Sequence, residues 1–186
     1  EKILSDFADV VSDTMPLKPI RGYQMKIHLD PNKPIPKMPY IAGRNRPKAL
    51  EKAAHDDIKN LIELGIIRPA DEPTDFMHPA FHVIKPNGKL RFLVDYSQGI
   101  NKCIKRQVHP FIPGNQLLQR IRPDSKVFAV FDALNGYFQL ELHPESRKYT
   151  CFIVNEGRFF FNRASQGLSQ SADSYVEATD RILSGL

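Results

Sequence analysis

The dipeptide Asn87-Gly88 separates two runs in which apolar side chains alternate with others, Phe81 and Val83 before it, then Leu90, Phe92 and Val94 after it. A two-residue hairpin loop of the favoured hand needs positive φ at both central positions, and Asn-Gly tolerates that best. The stretch therefore predicts an antiparallel hairpin, and Lys85, Lys89 and Arg91 make it basic.

The rest of the chain is read from period and punctuation. Tyr23, Met25, Ile27 and Leu29 alternate with Gln24, Lys26 and His28, as in a half-buried strand. Prolines then cluster between Pro31 and Pro47, an extended connector. Asn45 or Arg46 precedes Pro47 at the first helical position, and Leu50, Ala53, Ala54, Ile58, Leu61 and Ile62 recur at helical spacing until Gly65 stops the run. Val127 to Phe131 is a continuous apolar run, which predicts a fully buried strand with Asp132 at its C-terminal end. Phe138, Leu140 and Leu142 alternate in a further strand. Thr150–Val154 and Arg158–Arg163 predict a hairpin across Asn155-Glu156-Gly157. Ser169 or Ser171 caps a last helix with Ala172, Tyr175, Val176, Thr179, Ile182 and Leu183 on one face. Strands and helices mix without regular βαβ alternation, so an α+β fold is expected.

With 41% hydrophobic and 25% charged residues, the 186-residue chain has the balance of a globular protein, not a disordered one. Cys103 and Cys151 read as free buried thiols, which fits a reducing compartment. No apolar run approaches the roughly 20 residues that cross a bilayer, and the first twenty residues lack a signal-peptide core, so no membrane partner is expected. The start at Glu1 without Met points to a processed product or a cut-out of a longer protein.

The net charge of +5 is unevenly spread: residues 81–122 carry eight basic side chains against one acidic one. Lys85, Lys89, Arg91, Lys102, Lys105, Arg106, Arg120 and Arg122, interleaved with Phe92, Tyr96 and Phe111, favour a phosphate partner, although a solvated basic face has the same composition. Asp132 is the carboxylate set directly after a long apolar run. Either it bonds its own turn, or it is held at a strand end to ligate a hard cation such as Mg²⁺. Taken alone, Lys85 and Arg91 also fit a solvated hairpin, Tyr137 the core, and Gln166 the turn before the last helix.

Several motifs occur in one order: Leu61-Ile62-Glu63-Leu64-Gly65-Ile66-Ile67-Arg68-Pro69, Lys85 through Tyr96 (KPNGKLRFLVDY), Phe131 through Leu140 (FDALNGYFQL), and Gln166-Gly167-Leu168. In order and spacing the chain resembles the reverse transcriptases of gypsy-class LTR retrotransposons from about Ser5 to Leu186. The resemblance implies an N-terminal extension over 1–46, fingers and the start of the palm over 47–125, and a palm portion over 126–186, in the antiparallel sheet with packed helices of a right-hand polymerase. It implies RNA-directed DNA synthesis with Mg²⁺, Asp132 as a catalytic metal ligand, and the Ala133 carbonyl on the metal that also holds the dNTP. Lys85 and Arg91 would grip the triphosphate. Tyr137 would exclude a ribose 2′-hydroxyl, and Gln166 would contact nucleotide and template. The implied partners are an RNA template, a DNA primer or duplex and dNTP, within a homodimer or larger polyprotein. The implied location is a cytoplasmic virus-like particle, or the nucleus.

Three features depart from the family pattern. Gln166 stands where many gypsy-class sequences have Phe. Ser169-Gln170-Ser171-Ala172-Asp173-Ser174-Tyr175 replaces a run that usually holds Asn-Ala-Pro or Ser-Pro, then an apolar residue and Phe. The family's Tyr-x-Asp-Asp hairpin does not occur, and Asp56-Asp57, the one adjacent acidic Asp pair, falls within the first helix. Two-metal chemistry needs those carboxylates, so the chain alone is expected to be inactive. A non-catalytic, truncated or domesticated nucleic-acid-binding or interaction module is the alternative, and a generic phosphate- or RNA-binding α+β domain a weaker one. If the basic block grips a duplex, Lys102→Ala or Arg106→Ala should flatten the salt dependence of binding.

Overall fold

The computed structural model describes residues 5–7, 11, 14–15, 18–36, 46–86, 88, 90–110, 112–130 and 132–184. Its elements run β1 (Gln24–Met25), α1 (Lys48–Glu63), β2 (Ile67–Pro69), β3 (His78–Ile84), β4 (Leu90–Val94), α2 (Gly114–Gln119), β5 (Glu141–Leu142), α3 (Pro144–Arg147), β6 (Phe152–Val154), β7 (Gly157–Phe161) and α4 (Ser171–Leu183).

Local chemistry places most of these. β3 and β4 pair antiparallel with Val83 opposite Arg91 and Ile84 opposite Leu90, and Gly88 between them has φ 78°. Asn87 and Lys89 lie outside the described residues. β6 and β7 form the second hairpin, with Val154 opposite Gly157 at φ 133°. The mixed sheet runs β2-β7-β6-β3-β4, antiparallel throughout except that β3 pairs parallel with β6. α1 starts at Lys48, with Pro47 as its cap, and Gly65 (φ 65°) ends it. Ala54, Ile58 and Leu61 form its buried stripe. Burying Ile58 and Leu61 contributes about 1.5–3 kcal/mol each. Without Trp, phenylalanines fill the core: Phe92 meets Phe152 at 5.2 Å and Phe152 meets Phe161 at 5.0 Å between centroids. Cys103 and Cys151 are free and buried, and burial pushes the Cys151 thiol up to about 11. Among the described residues, no helix is long and apolar enough to cross a membrane.

Four expectations need correction. Val127–Val130 is irregular and open, with Val127 88%, Phe128 66% and Val130 93% exposed. No described strand pairs with it, so among the described residues its backbone has no ladder partner and its side chains stand open; Phe131 lies outside the described residues. The strand expected over Phe138–Leu142 is a 3₁₀ turn over Gly136–Gln139 followed by the two residues of β5. Of the Tyr23–Leu29 stretch only Gln24–Met25 pairs, parallel to β5, although Met25 and Ile27 are buried in the expected alternation. In α4 the buried residues are Ser171, Asp173, Ser174 and Ala178, while Ala172, Ile182 and Leu183 are exposed. Small side chains let this helix approach closely, and neither Ser169 nor Ser171 makes a side-chain cap: Gln170 is the cap, and the Ser171 hydroxyl donates instead to the Ser165 carbonyl at 2.8 Å.

His78 makes the core pH-sensitive. It is fully buried, its Nε2 lies 3.1 Å from the Tyr149 carbonyl, and burial lowers its pKa to about 4. The unfolded ring takes a proton near 6.5, whereas the folded one resists protonation until about 4. Stability is therefore full above pH 6.5 and falls as the pH drops toward 4, by on the order of 3 kcal/mol. Urea unfolding at a series of pH values should show that loss, and His78→Gln should largely remove it.

Candidate active site

The segment after Asp132 turns sharply. Asn135 adopts the left-handed conformation (φ 47°, ψ 51°), the one non-glycine to do so among the described residues. Its carbonyl accepts from the Phe138 amide at 2.8 Å, and Gln139 Nε2 donates to the Leu134 carbonyl at 2.8 Å. Arg163 Nη1 bonds the Phe138 carbonyl at 3.0 Å, fixing the far end of the turn.

A second loop, Ala164 to Ser169, is tied to the end of β4. The Ser165 hydroxyl bonds the Tyr96 hydroxyl at 2.8 Å, Asn101 Nδ2 donates to the Gly167 carbonyl at 2.8 Å, and the Ser169 amide donates to Asn101 Oδ1 at 2.9 Å. Gly167 has φ 98°, and a Cβ there would fall 2.7 Å from the Val94 carbonyl oxygen. Only glycine lets the loop lie that close, and Gln166 is presented beside it.

Between the two loops lies an open cleft of about 440 Å³ lined by Asp132, Ala133, Gly136, Tyr137, Gln166 and Tyr175, within the range of small-molecule sites. It brings together Asp132, Ala133, Tyr137 and Gln166 from the sequence reading. Asp132 is exposed to it rather than closed into its turn. Among the described residues, no group of three or more His, Cys, Asp or Glu side chains is arranged to hold a metal, so this part of the cleft offers one carboxylate and the neighbouring backbone carbonyl. Lys85 and Arg91 are not in the cleft: with Val83, Ile84 and Pro86 they line a separate groove of about 350 Å³ on the hairpin.

Much of the remaining basic block is already partnered. Arg106 forms a two-pronged pair with Asp173 (Nε–Oδ2 2.5 Å, Nη2–Oδ1 3.2 Å), and its guanidinium holds the Asp173 carboxyl below the usual range. Lys102 Nζ bonds Gln98 Oε1 at 2.6 Å. Arg106→Ala therefore unmoors the 105–110 strand of chain from α4 and is a poor probe of phosphate contact alone.

Gly136 and Tyr175 were not singled out by sequence. In sequence Tyr175 is one more apolar-face residue of the last helix, and Gly136 is one residue of the FDALNGYFQL motif. Tyr175 meets Tyr137 edge-on, 6.0 Å between centroids at 84°. Burial raises its phenol pKa first, the Asp132 carboxylate and Tyr137 further.

An exposed carboxylate at the head of a turn faces a cleft, a basic hairpin carries a groove of its own, and comparison with known proteins gives the class: the chain belongs to the reverse transcriptase (RNA-dependent DNA polymerase) family, which residues 83–186 match. Among its relatives are the enzymatic polyproteins of Cauliflower mosaic virus (strain Strasbourg), 30% identical over 95% of this chain and 26% of the relative, and of Figwort mosaic virus (strain DxS), 30% identical over 98% and 27%. The chain thus spans about a quarter of their length. Similar folds occur in the prototype foamy virus protease-reverse transcriptase, with a TM-score of 0.78 at 18% identity over 98% of this chain and 24% of that one. The foamy viral enzyme in complex with dsDNA gives 0.72 at 16% identity over 100% and 36%.

Proposed function

We propose that the chain is the fingers and first palm portion of a retroelement reverse transcriptase, of gypsy-class type by its motifs, working within a longer polyprotein on an RNA or DNA template, a DNA primer and dNTP. The observation that carries this reading is the convergence of Asp132, Ala133, Tyr137 and Gln166 on one cleft. The relatives' description as enzymatic polyproteins supports the longer context, and a foamy viral neighbour bound to dsDNA supports a duplex partner.

The donors fit Mg²⁺: an accessible carboxylate and a backbone carbonyl are hard oxygen ligands, and Mg²⁺ commonly takes one or two carboxylates together with substrate phosphates. When bound it supplies charge neutralisation at the reacting phosphates. In this reading Asp132 and the Ala133 carbonyl hold the ion, and Tyr137 underlies the sugar and excludes a 2′-hydroxyl. Gln166 contacts the base-pairing nucleotide. Lys85 and Arg91 take the triphosphate when the hairpin approaches the cleft, through charge-assisted bonds to its oxygens. The remaining carboxylates are assigned to a Tyr-x-Asp-Asp hairpin elsewhere in the polyprotein.

The test is primer extension on RNA and DNA templates by a polypeptide continued in frame past Leu186 through a Tyr-x-Asp-Asp sequence, alongside the present chain. Mg²⁺-dependent dNTP incorporation is expected from the longer polypeptide and none from the shorter. Incorporation by neither, with salt-dependent duplex binding retained, identifies instead a non-catalytic binding module.

A further inference from the structure

We propose that Tyr175 is the positioning residue that holds the Tyr137 ring in place and thereby sets the discrimination between deoxyribose and ribose in this cleft; the proposal rests on the nucleotide-site reading above.

Tyr137 sits on a short 3₁₀ turn that follows a left-handed residue, a backbone that does not by itself fix an aromatic side chain. Among the described residues, Tyr175 is the ring paired with it, edge to face. The Tyr175 ring in turn lies directly on Gly136: a Cβ added there would fall 2.9 Å from its Cζ, 3.0 Å from Cε2 and 3.2 Å from the hydroxyl oxygen. The missing side chain at 136 is thus the space in which Tyr175 rests. Both rings are half-buried against the main core, and both line the cleft with Asp132.

The base of Tyr175 is rigid. The Ser171 hydroxyl one turn earlier bonds the Ser165 carbonyl at 2.8 Å, and the Ser174 amide bonds the Gln170 carbonyl at 3.0 Å. α4 is therefore anchored to the loop that presents Gln166. A steric gate works only if the gating ring cannot turn aside, since a freed ring yields to one extra hydroxyl. Tyr175 supplies the wall that prevents it.

The test uses the present chain with Mg²⁺·dATP and Mg²⁺·ATP, affinities measured by saturation-transfer NMR, which detects millimolar binding. Tyr175→Leu should lower the dATP-to-ATP affinity ratio by about five-fold, the worth of an aromatic pair. Tyr175→Phe, which keeps the ring, should restore it. Gly136→Ala, which must push the Tyr175 ring away, should lower the ratio similarly, and the double variant should fall no further, because both changes break one contact. Should Tyr175→Leu fail to fold, Gly136→Ala against wild type decides the matter.

A ratio unchanged in Tyr175→Leu or in folded Gly136→Ala, while Tyr137→Ala lowers it, overturns the role of Tyr175 and leaves the nucleotide site standing. A ratio unchanged in Tyr137→Ala as well, or no nucleotide binding by wild type, removes the nucleotide-site reading and this proposal with it.

Discussion

Replacing Asp132 by Asn in the longer, Tyr-x-Asp-Asp-containing polypeptide is expected to cut primer extension by at least about a thousand-fold while leaving duplex affinity nearly unchanged. The substitution keeps size and removes the charge of the one carboxylate lining the cleft. Metal-assisted charge stabilisation is worth several kcal/mol at the transition state, and each 1.36 kcal/mol is tenfold in rate, so three powers of ten is the lower bound. Duplex binding rests on backbone phosphates, with log K falling against log salt by about 0.9 per phosphate neutralised. Asp132 contributes nothing favourable to that slope. Single-turnover extension separates the two effects. A variant that extends at the wild-type rate would show that Asp132 merely ends its turn, the other role its position allows.

Gly167→Ala is expected to destabilise the chain by about 3 kcal/mol, lowering the unfolding midpoint by roughly 6–12 °C for a protein of this size. Two costs add. At φ 98° an L side chain is strained, and the new Cβ would stand 2.7 Å from the Val94 carbonyl, a backbone atom that cannot rotate away. The loop must lift, loosening the Asn101 bond to the Gly167 carbonyl and shifting Gln166 out of the cleft. Gly88→Ala is the control: it too has positive φ (78°), but its Cβ would meet nothing within 4 Å. It should cost only the backbone strain, about 1 kcal/mol. Differential scanning calorimetry of the pair checks both figures, and equal midpoints would refute the clash.

Where structure is decided by neighbouring residues, the chain announces it. Gly88 and Gly157 sit between alternating runs because few residues accept positive φ, and both hairpins form. α1 is equally plain: Ala54, Ile58 and Leu61 repeat on one face and Gly65 stops it. What a segment touches is harder to read. Val127–Val130 has the pattern of a buried strand, but a pattern states what a segment requires and not whether a neighbour is there. In α4, Ser171, Ser174 and Ala178 are buried because they are small enough for close approach, which hydrophobicity does not register. Arg106 is one of the basic block in sequence, and only the fold brings Asp173 to it from 67 positions away.

The same limits shaped the site. Asp132, Tyr137 and Gln166 are recognisable because a run of residues surrounds each. Tyr175 is invisible at that level, since its importance lies in a contact with an absent side chain at Gly136.

The open stretch over Val127–Val130 governs how the isolated chain will behave in a test tube. Exposed β-branched and aromatic groups on backbone that joins no ladder among the described residues form an adhesive edge, on which one molecule can template the next. Concentrated solutions should therefore become turbid sooner than the net positive charge would suggest, and a charged substitution at Phe128 offers a cleaner sample for every binding experiment described above.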